Sequence, residues 1–384
     1  MEHAVVFLVW FALLVQGYHY VGYPLLLFVI GRFCGREAER QEFLPTVSLV
    51  ICAFNEAGVI SEKIENSLAL DYPDLEIVVN TEGSTDGTFE LSRQYASDGV
   101  VTLYSPERRG KGRALNDAVQ QTSGDVLVLS DANAFYETQA IRRLVSRFAD
   151  ADVGLVTGRK TVHGAVPDFK EAAESESLYW QYENLLKSLE TRLGATVAVH
   201  GEMLAVRREL FAPIPEDIVN DDAYQALHIM AQGRRVVFEE DAVCWEAPSG
   251  TMKDDLVRRQ RMSAGRFQLL TRRNIWPRQP LVLFMFISHK VLRLFLPLFA
   301  ILALVANVWA VTRPVVALGM WSTLAAQLVF IAFAILGLFG GSTGRGFLPS
   351  KIAAYLASGY AANLSGLCRA LTVGQGVLWE KARR

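Results

Sequence analysis

The sequence predicts an α/β domain with a mainly parallel sheet, flanked at its N- and C-terminal sides by hydrophobic helices. Two patterns support this fold class. From about residue 45 to 275, short apolar runs alternate with amphipathic stretches, as strands alternate with helices. Long apolar runs lie on both sides of this region and explain the hydrophobic content of 51%. The net charge of −2 gives no basic excess, so no nucleic-acid partner is expected.

The first hydrophobic segment, residues 5–30, contains no Lys, Arg, Asp or Glu and is long enough to cross a bilayer. We predict an N-terminal transmembrane helix over residues 1–31, with a kink at Pro24. A signal peptide is the alternative, but no basic region precedes Val5 and no typical cleavage site follows. The segment is followed by three arginines, Arg32, Arg36 and Arg40. By the positive-inside rule, the next domain is expected in the cytoplasm.

The second hydrophobic region begins after the α/β domain, which we assign to residues 45–275. Residues 278–293 are predicted to form an interfacial helix, because polar and charged residues interrupt the apolar run. Residues 294–384 form a C-terminal transmembrane and interfacial region with two good spans, 294–311 and 315–339. The weaker stretch 352–367 is a third span or, as we prefer, an interfacial or re-entrant segment. A multi-pass protein of the inner or plasma membrane is expected.

Within the α/β domain, four strands and three helices are predicted to alternate. They cover residues 47–52, 59–69, 76–79, 86–95, 100–104, 114–121 and 126–130, beginning and ending with a strand. Ligands of a parallel sheet bind at the carboxyl ends of its strands. Polar residues at these ends are therefore candidate ligand contacts.

A polar cluster follows each predicted strand. The clusters contain Asn55-Glu56, Glu82-Gly-Ser-Thr-Asp-Gly87, Gly110-Lys111-Gly112 and Asp131-Ala-Asn133. Each one alone is ordinary turn or helix-cap chemistry. Four at successive strand ends predict a nucleotide site, with carboxylates for base and ribose, and glycine backbone and a cation for the phosphates.

With these motifs, residues 47–246 resemble the catalytic domain of family 2 glycosyltransferases, which has the GT-A nucleotide-sugar-binding fold. The four clusters match, in order and spacing, the family's N-E, D-G-S-T-D-G-T, G-K-x-x-A-L-N and D-x-D motifs. The resemblance implies a nucleotide-sugar donor, UDP-linked, as the ligand. The donor-binding residues that it implies are Asn55, Glu56, Glu82, Lys111 and Asp131.

Two positions depart from the family pattern. Glu82 replaces an Asp and keeps its charge, whereas Asn133 replaces the second Asp of D-x-D. The resemblance implies a divalent cation, Mg²⁺ or Mn²⁺, held by Asp131 and Asn133, since an amide oxygen can ligate a hard cation. Such a cation would neutralise the leaving diphosphate.

On the acceptor side, His200 to Arg208 resembles the family's G-x-x-x-A-x-R-R segment, which implies an acceptor pocket at His200, Gly201 and Glu202. Asn220-Asp221-Asp222 precedes a predicted helix, so capping is one interpretation. The resemblance implies the other, in which Asp222 is the catalytic base and Asp221 supports it. Inverting transfer needs one such base to deprotonate the acceptor hydroxyl.

The segment 258–262 stands where processive synthases have Q-x-x-R-W. Arg261 is retained and would bind the diphosphate, Arg258 would contact the acceptor, and Met262 stands in place of the Trp. A basic patch next to the membrane is the simpler interpretation. The missing Trp favours one or a few sugar additions. The final residues, Trp379 to Arg384, also resemble the tail of membrane-bound family members.

The leading hypothesis is an inverting, metal-assisted glycosyltransferase of glycan biosynthesis. Its acceptor would be a lipid or a lipid-linked glycan in the bilayer. One alternative is a processive polysaccharide synthase that couples polymerisation to export. The alternative from another class is a catalytically inactive membrane regulator that binds nucleotide sugars. A transporter has less support, because the hydrophobic part is small and has no inverted repeat.

Overall fold

A computed structural model of the protein describes residues 2–36, 41–162, 170–246, 252–313, 318–340, 347–372 and 376–378. The predictions made for Arg40 and for Trp379 to Arg384 lie outside these residues. The described part contains one sheet of eight strands. The strands are β1 (Val47–Ala53), β2 (Leu75–Glu82), β3 (Val101–Ser105), β4 (Val126–Asp131), β5 (Phe135–Tyr136), β6 (Val153–Val162), β7 (Leu204–Arg207) and β8 (Arg235–Glu246).

The sheet has the order β3-β2-β1-β4-β7-β6-β8-β5. Its first four strands are parallel, β7 runs antiparallel to both neighbours, and β6 pairs in parallel with β8. The predicted mainly parallel sheet is therefore confirmed. The apolar run of β1 is buried along nearly its whole length, because helices cover both faces of the sheet.

The helices surround the sheet and extend beyond it. In the described residues they are α1 (Glu2–Gly17), α2 (Tyr23–Cys34), α3 (Ile60–Leu68), α4 (Thr88–Arg93), α5 (Lys111–Val119), α6 (Ala140–Ser146), α7 (Lys170–Arg192), α8 (Asp221–Ala231), α9 (Met252–Thr271), α10 (Pro280–Phe286), α11 (Leu292–Val311), α12 (Leu318–Gly340) and α13 (Leu348–Thr372). The four strands and three helices predicted between residues 47 and 130 all form, with ends shifted by a few residues.

Three helical segments are long and apolar enough to cross a membrane: Glu2–Cys34, Pro280–Val311 and Gly319–Leu338. The first is interrupted by a π-helical turn at Tyr18–Gly22, just before Pro24. A π turn is a recognised cause of helix irregularity, as is proline. Helix α13 is too polar to count among these three segments.

The sequence predicted an interfacial helix over 278–293 and a separate span from residue 294. Within the described residues 252–313, the structure has no helix end between them. Instead α10 runs through a π turn at Ile287–Val291 into α11. Polar and charged side chains that suggested an interfacial helix have partners on α7. His289 Nδ1 lies 2.6 Å from Glu190 Oε1, and Arg293 pairs with Glu183. Because these side chains have partners, they do not need to end the apolar helix.

The core of the sheet continues into the membrane-proximal helices. On one face, Leu127 and Leu129 of β4 belong to a buried cluster that also contains Leu27 of α2 and Met285 and Phe286 of α10. A second cluster on the opposite face packs around α3 and α6. The sheet and the first turns beyond residue 278 therefore share one hydrophobic core.

Close helix packing ties the C-terminal region to the sheet domain. A Cβ at Gly366 of α13 would lie 2.6 Å from Ser263 Oγ of α9. Ser263 Oγ also donates a hydrogen bond to Asn363 Oδ1 at 2.9 Å. Small residues that let helix backbones approach are typical of helix packing in membranes.

Candidate active site

The carboxyl ends of the parallel strands border a cavity of about 1450 Å³. All the site residues predicted from the sequence except Asn55 line it. They are Glu56, Glu82, Lys111, Asp131, Asn133, His200, Gly201, Glu202, Asp221, Asp222, Arg258 and Arg261. The cavity also reaches residues of the membrane-proximal helices, including Tyr20, Tyr355 and Tyr360.

Asn55 braces the loops at the strand ends. It adopts a positive φ of 53°, and its Oδ1 accepts a hydrogen bond from the backbone N–H of Thr85 at 2.8 Å. Its own N–H donates to Ser84 Oγ at 3.1 Å. Asp86, which precedes the N-cap residue Gly87 of α4, accepts a hydrogen bond from Thr88 N at 3.1 Å. A direct contact of Asn55 with a donor stays a prediction.

Glu82 holds the loop at Gly110 in place. Its Oε2 accepts a hydrogen bond from Gly110 N at 2.8 Å, and its side chain is almost fully buried. Burial raises the pKa of this carboxyl, against the hydrogen bonds from the loop. Gly83 has a φ of 65°, and a Cβ there would lie 2.7 Å from the Cβ of Arg108. The turn after β2 therefore requires glycine at residue 83.

Lys111 connects the donor side of the cavity to Asp221, the residue before the predicted base. Its Nζ lies 2.7 Å from Asp131 Oδ1 and 3.3 Å from Asp221 Oδ2. Burial lowers the pKa of Lys111, but the two carboxylates outweigh it and hold the pKa well above its usual value. A Cβ at Gly201 would lie only 3.1 Å from this Nζ.

Asp222 lies in the first turn of α8, after the N-cap residue Asn220. Its Oδ1 accepts a hydrogen bond from Ala223 N at 2.7 Å. Burial, and then the neighbouring charge of Asp221, raise the pKa of Asp222 to about 7. A carboxyl with a pKa near neutrality that faces a cavity has the properties of a general base.

Arg261 lies close to the same carboxylates. Burial lowers its pKa to about 10, against the opposing charges of Asp221 and Asp131, so it stays cationic at neutral pH. The backbone of the same helix, α9, is fixed to the N-cap of α8, because Asn220 Nδ2 donates to the carbonyl of Met262 at 2.9 Å. The predicted arginine and the predicted base thus lie on one connected surface.

The predicted acceptor residues form a charge network that the sequence did not indicate. Lys160 pairs with both Glu202 and Glu246, and Arg258 Nη1 lies 3.5 Å from Glu246 Oε1. Although burial raises the pKa of Glu202, the Lys160 charge holds it well below its usual range. Asn133 Nδ2 also donates to Glu246 Oε2, at 3.1 Å.

His200 is 5% exposed and neutral. Burial, and then the charge of Lys187, lower its pKa to about 3. Neither of its ring nitrogens makes a hydrogen bond within the described residues. A buried imidazole in this state can bind a hydroxyl group that enters the cavity.

Several residues lining the cavity were not predicted. On α7, Trp180, Glu183 and Lys187 line it, and Lys160 lines it from β6. The spacing of three and four residues on α7 places these side chains on one helical face, and this spacing is the signal that the sequence contained. Lys160 had no such signal, since its partners are distant in sequence. Among the described residues, no group of three or more His, Cys, Asp or Glu could hold a metal ion.

The sheet topology and the polar groups at its strand ends define a glycosyltransferase of the GT-A fold. A family model described as "Glycosyltransferase like family 2" matches residues 45–265. This match covers more than half of the chain, and the protein belongs to that family. The resemblance expected from the sequence is therefore confirmed.

Curated relatives include poly-beta-1,6-N-acetyl-D-glucosamine synthases. That of Staphylococcus aureus strain MSSA476 is 25% identical over 60% of this chain, and the match spans 56% of the length of that relative. That of Staphylococcus epidermidis is 22% identical over 72% of this chain and 68% of its own length.

A solved structure is similar over almost the whole chain. The mannosyltransferase PcManGT from Pyrobaculum calidifontis, in complex with GDP-Man and Mn²⁺, is 26% identical with a TM-score of 0.72. The similarity covers 95% of this chain and 99% of that one. It therefore includes the hydrophobic helices as well as the sheet domain.

Proposed function

We propose that the protein transfers a sugar, with inversion, from a nucleotide-sugar donor to a lipid or lipid-linked glycan in the membrane. The observation that carries this proposal is the extent of the cavity. It runs from the strand-end carboxylate Asp131, past Asp222, to Tyr355 and Tyr360 on α13. A soluble donor and a membrane acceptor can therefore meet at one carboxylate.

In the proposed reaction, Asp222 accepts the proton of the acceptor hydroxyl as the hydroxyl oxygen attacks the anomeric carbon. The bond between that carbon and the diphosphate breaks, and the nucleoside diphosphate leaves. Lys111 and Arg261 are cationic at neutral pH and stabilise the charge that develops on the diphosphate.

A divalent cation, Mg²⁺ or Mn²⁺, is proposed at Asp131 and Asn133, since the similar mannosyltransferase was solved with Mn²⁺. The residues fit this cation, because the Asp131 side chain is 34% exposed to the cavity and Asn133 lines the wall beside it. One or two carboxylates with substrate phosphate oxygens are a usual set of ligands for such ions. The cation would supply charge neutralisation for the leaving group.

The comparisons favour different donors. The solved structure holds GDP-Man, whereas the curated relatives are named for N-acetyl-D-glucosamine polymers. We retain a UDP-linked donor as the proposal. A thermal-shift panel of UDP- and GDP-sugars, with and without Mn²⁺, should show the largest stabilisation with a UDP-sugar. Stabilisation by GDP-mannose alone would reject the UDP assignment.

A processive synthase is the second candidate, because the curated relatives are named as polymer synthases. The two candidates differ in product length. Full-length protein in vesicles, supplied with labelled donor, should give one discrete product that can be extracted with lipid. A ladder of products would favour the processive candidate, which Met262 disfavours because it cannot stack a sugar as tryptophan does.

The catalytically inactive regulator is tested in the same vesicles. Transfer that disappears in Asp222→Asn, while stabilisation by the donor persists, would support an enzyme. Donor stabilisation without transfer or donor hydrolysis in the wild-type protein would support the regulator. We also propose that the chain is a multi-pass protein of the plasma membrane with its sheet domain in the cytoplasm, as its juxtamembrane arginines favour.

A further inference from the structure

Beyond Asp222, the cavity continues towards the membrane helices into a region that no motif explains. We call it the membrane-side chamber and define it by Lys187, Arg266, Lys290, Tyr179, Tyr355 and Tyr360. It is lined from α7, α9, the α10–α11 helix and α13. Its charges are not needed for the donor chemistry proposed above.

Lys187 is a buried ammonium without a carboxylate partner. It is 1% exposed and donates a hydrogen bond to Asn184 Oδ1 at 3.4 Å. Its Nζ also lies 5.4 Å from the ring centroid of Trp180 and 5.0 Å from that of Phe238. Within the described residues, it makes no ion pair. Burial lowers its pKa to about 8, so the charged form still dominates at neutral pH.

An acidic residue one turn earlier on the same helix is already occupied. The carboxylate of Glu183, one turn before Lys187, pairs with Arg293 and with His289, and lies 3.4 Å from Lys290 Nζ. One carboxylate therefore serves several cationic groups. An isolated buried charge destabilises a folded protein unless something neutralises it.

Arg266 adds a further positive charge. It is half-buried on α9 and makes no hydrogen bond or ion pair within the described part of the chain. Arg266 and Lys290 both border a second, smaller cavity beside Asp222, so the two cations lie in the same region. The chamber thus has an excess of positive charge close to the proposed base.

The wall of the chamber on the membrane side is amphipathic. Tyr355 and Tyr360 come from α13, together with Ile352 and Leu356. Tyr20, within the π turn of the first hydrophobic segment, donates to Tyr360 Oη at 3.4 Å. Tyrosines with polar ends beside apolar residues are typical of the level of lipid head groups.

We propose that the membrane-side chamber binds the phosphate of an anionic glycerolipid on Lys187, Arg266 and Lys290. A hydroxyl of the same head group would then reach Asp222 as the sugar acceptor. This inference rests on the proposed function and specifies its acceptor. The phosphate explains why an unpaired ammonium is buried, and the hydroxyl supplies the proton that the base removes. The proton moves to Asp222, the oxygen bonds to the anomeric carbon, and the nucleoside diphosphate leaves.

Lipid binding can be measured separately from transfer. Native mass spectrometry of the full-length protein would compare phosphatidylglycerol, which is anionic and carries hydroxyls, with zwitterionic phosphatidylcholine. We expect the wild-type protein to prefer phosphatidylglycerol by about tenfold or more, which corresponds to about 1.4 kcal/mol. Equal binding of the two lipids would overturn the proposal.

The decisive variant is Lys187→Met, with Arg266→Gln as a second. Lys187→Met should abolish the preference and raise the melting temperature, because it removes an unpaired buried charge while retaining most of the side-chain volume. Arg192→Gln removes an exposed cation from the same helix and should leave the preference unchanged. If Lys187→Met lowers the melting temperature and leaves the preference intact, the role of Lys187 is structural and the proposal fails.

Two further measurements separate the possible failures. Thermal stabilisation by nucleotide sugar and Mn²⁺ should persist in Lys187→Met; if the wild-type protein is not stabilised, the proposed function itself fails. Soluble glycerol 3-phosphate, added at the concentration of the lipid, should not displace phosphatidylglycerol. Equal displacement would assign the chamber to a soluble phosphate and overturn the lipid assignment.

Discussion

The pH dependence of transfer tests the role of Asp222 most directly. Because burial and the charge of Asp221 raise the pKa of Asp222 to about 7, the carboxyl is about half ionised at neutral pH. Only the ionised form can accept a proton, so activity should rise with pH. A single group with this pKa predicts an increase in kcat/KM of about tenfold between pH 6 and pH 8.

Replacement of the base should remove this dependence together with most of the activity. We expect Asp222→Asn to lower kcat by about 10²–10⁴-fold, the usual contribution of a general base. Asp221→Asn removes a charge that raises the pKa of Asp222, so the profile should move to lower pH while activity remains. Asp217→Asn, at an exposed carboxylate outside the cavity, is the matched control.

The assay is transfer of labelled sugar to lipid by the full-length protein in vesicles, at saturating and at limiting donor. A wild-type profile that is flat between pH 6 and pH 8 would refute the assignment of the base. The assignment would also fail if Asp221→Asn moved the profile to higher pH, because removing a neighbouring negative charge cannot raise the pKa of a carboxyl.

Three further predictions concern packing around the site. Gly201→Ala places a Cβ 3.1 Å from the Nζ of Lys111. It should lower kcat/KM roughly ten- to a hundredfold with little change in melting temperature. An unchanged kcat/KM would show that the ammonium can move without loss of activity. Lys160→Met removes the cation that Glu202 and the buried Glu246 share, leaving Glu246 with Arg258 at 3.5 Å, and should lower the free energy of unfolding by about 3–5 kcal/mol, measured by denaturation in detergent. A stability equal to that of the wild type would contradict this interpretation. Gly366→Val should destabilise the packing of α13 on α9 by about 1–3 kcal/mol and accelerate proteolysis, because its Cβ would overlap Ser263.

The sequence predicted more of the donor side than of the acceptor side. On the donor side, each motif follows a strand, and the ends of parallel strands meet at one edge of a sheet. Lys111 and Asp131 were therefore placed together before their 2.7 Å ion pair was known. On the acceptor side, Lys160 contacts Glu202 and Glu246, which are 42 and 86 residues away. No local pattern indicates such a contact.

In the membrane region, too, the sequence did not reveal contacts between distant residues. Hydropathy alone separated 278–293 from the following apolar run, because His289 and Arg293 interrupt it. The structure continues the helix through these residues, since Glu183 and Glu190 on α7 pair with them. Whether a charged residue interrupts an apolar helix therefore depends on its partner, which hydropathy alone does not identify.

By itself, the sequence determined the fold class, the family and the order of the strand-end motifs, because these follow from hydrophobic periodicity and local turn chemistry. Only the tertiary structure decided that Asn55 braces a loop, that Lys160 is shared by two carboxylates, and that Lys187 is buried without one. Such properties depend on which distant side chains meet in a desolvated space, where the strength of each charge depends on its neighbours. Those neighbours come together only when the chain folds, so they cannot be identified from local sequence patterns.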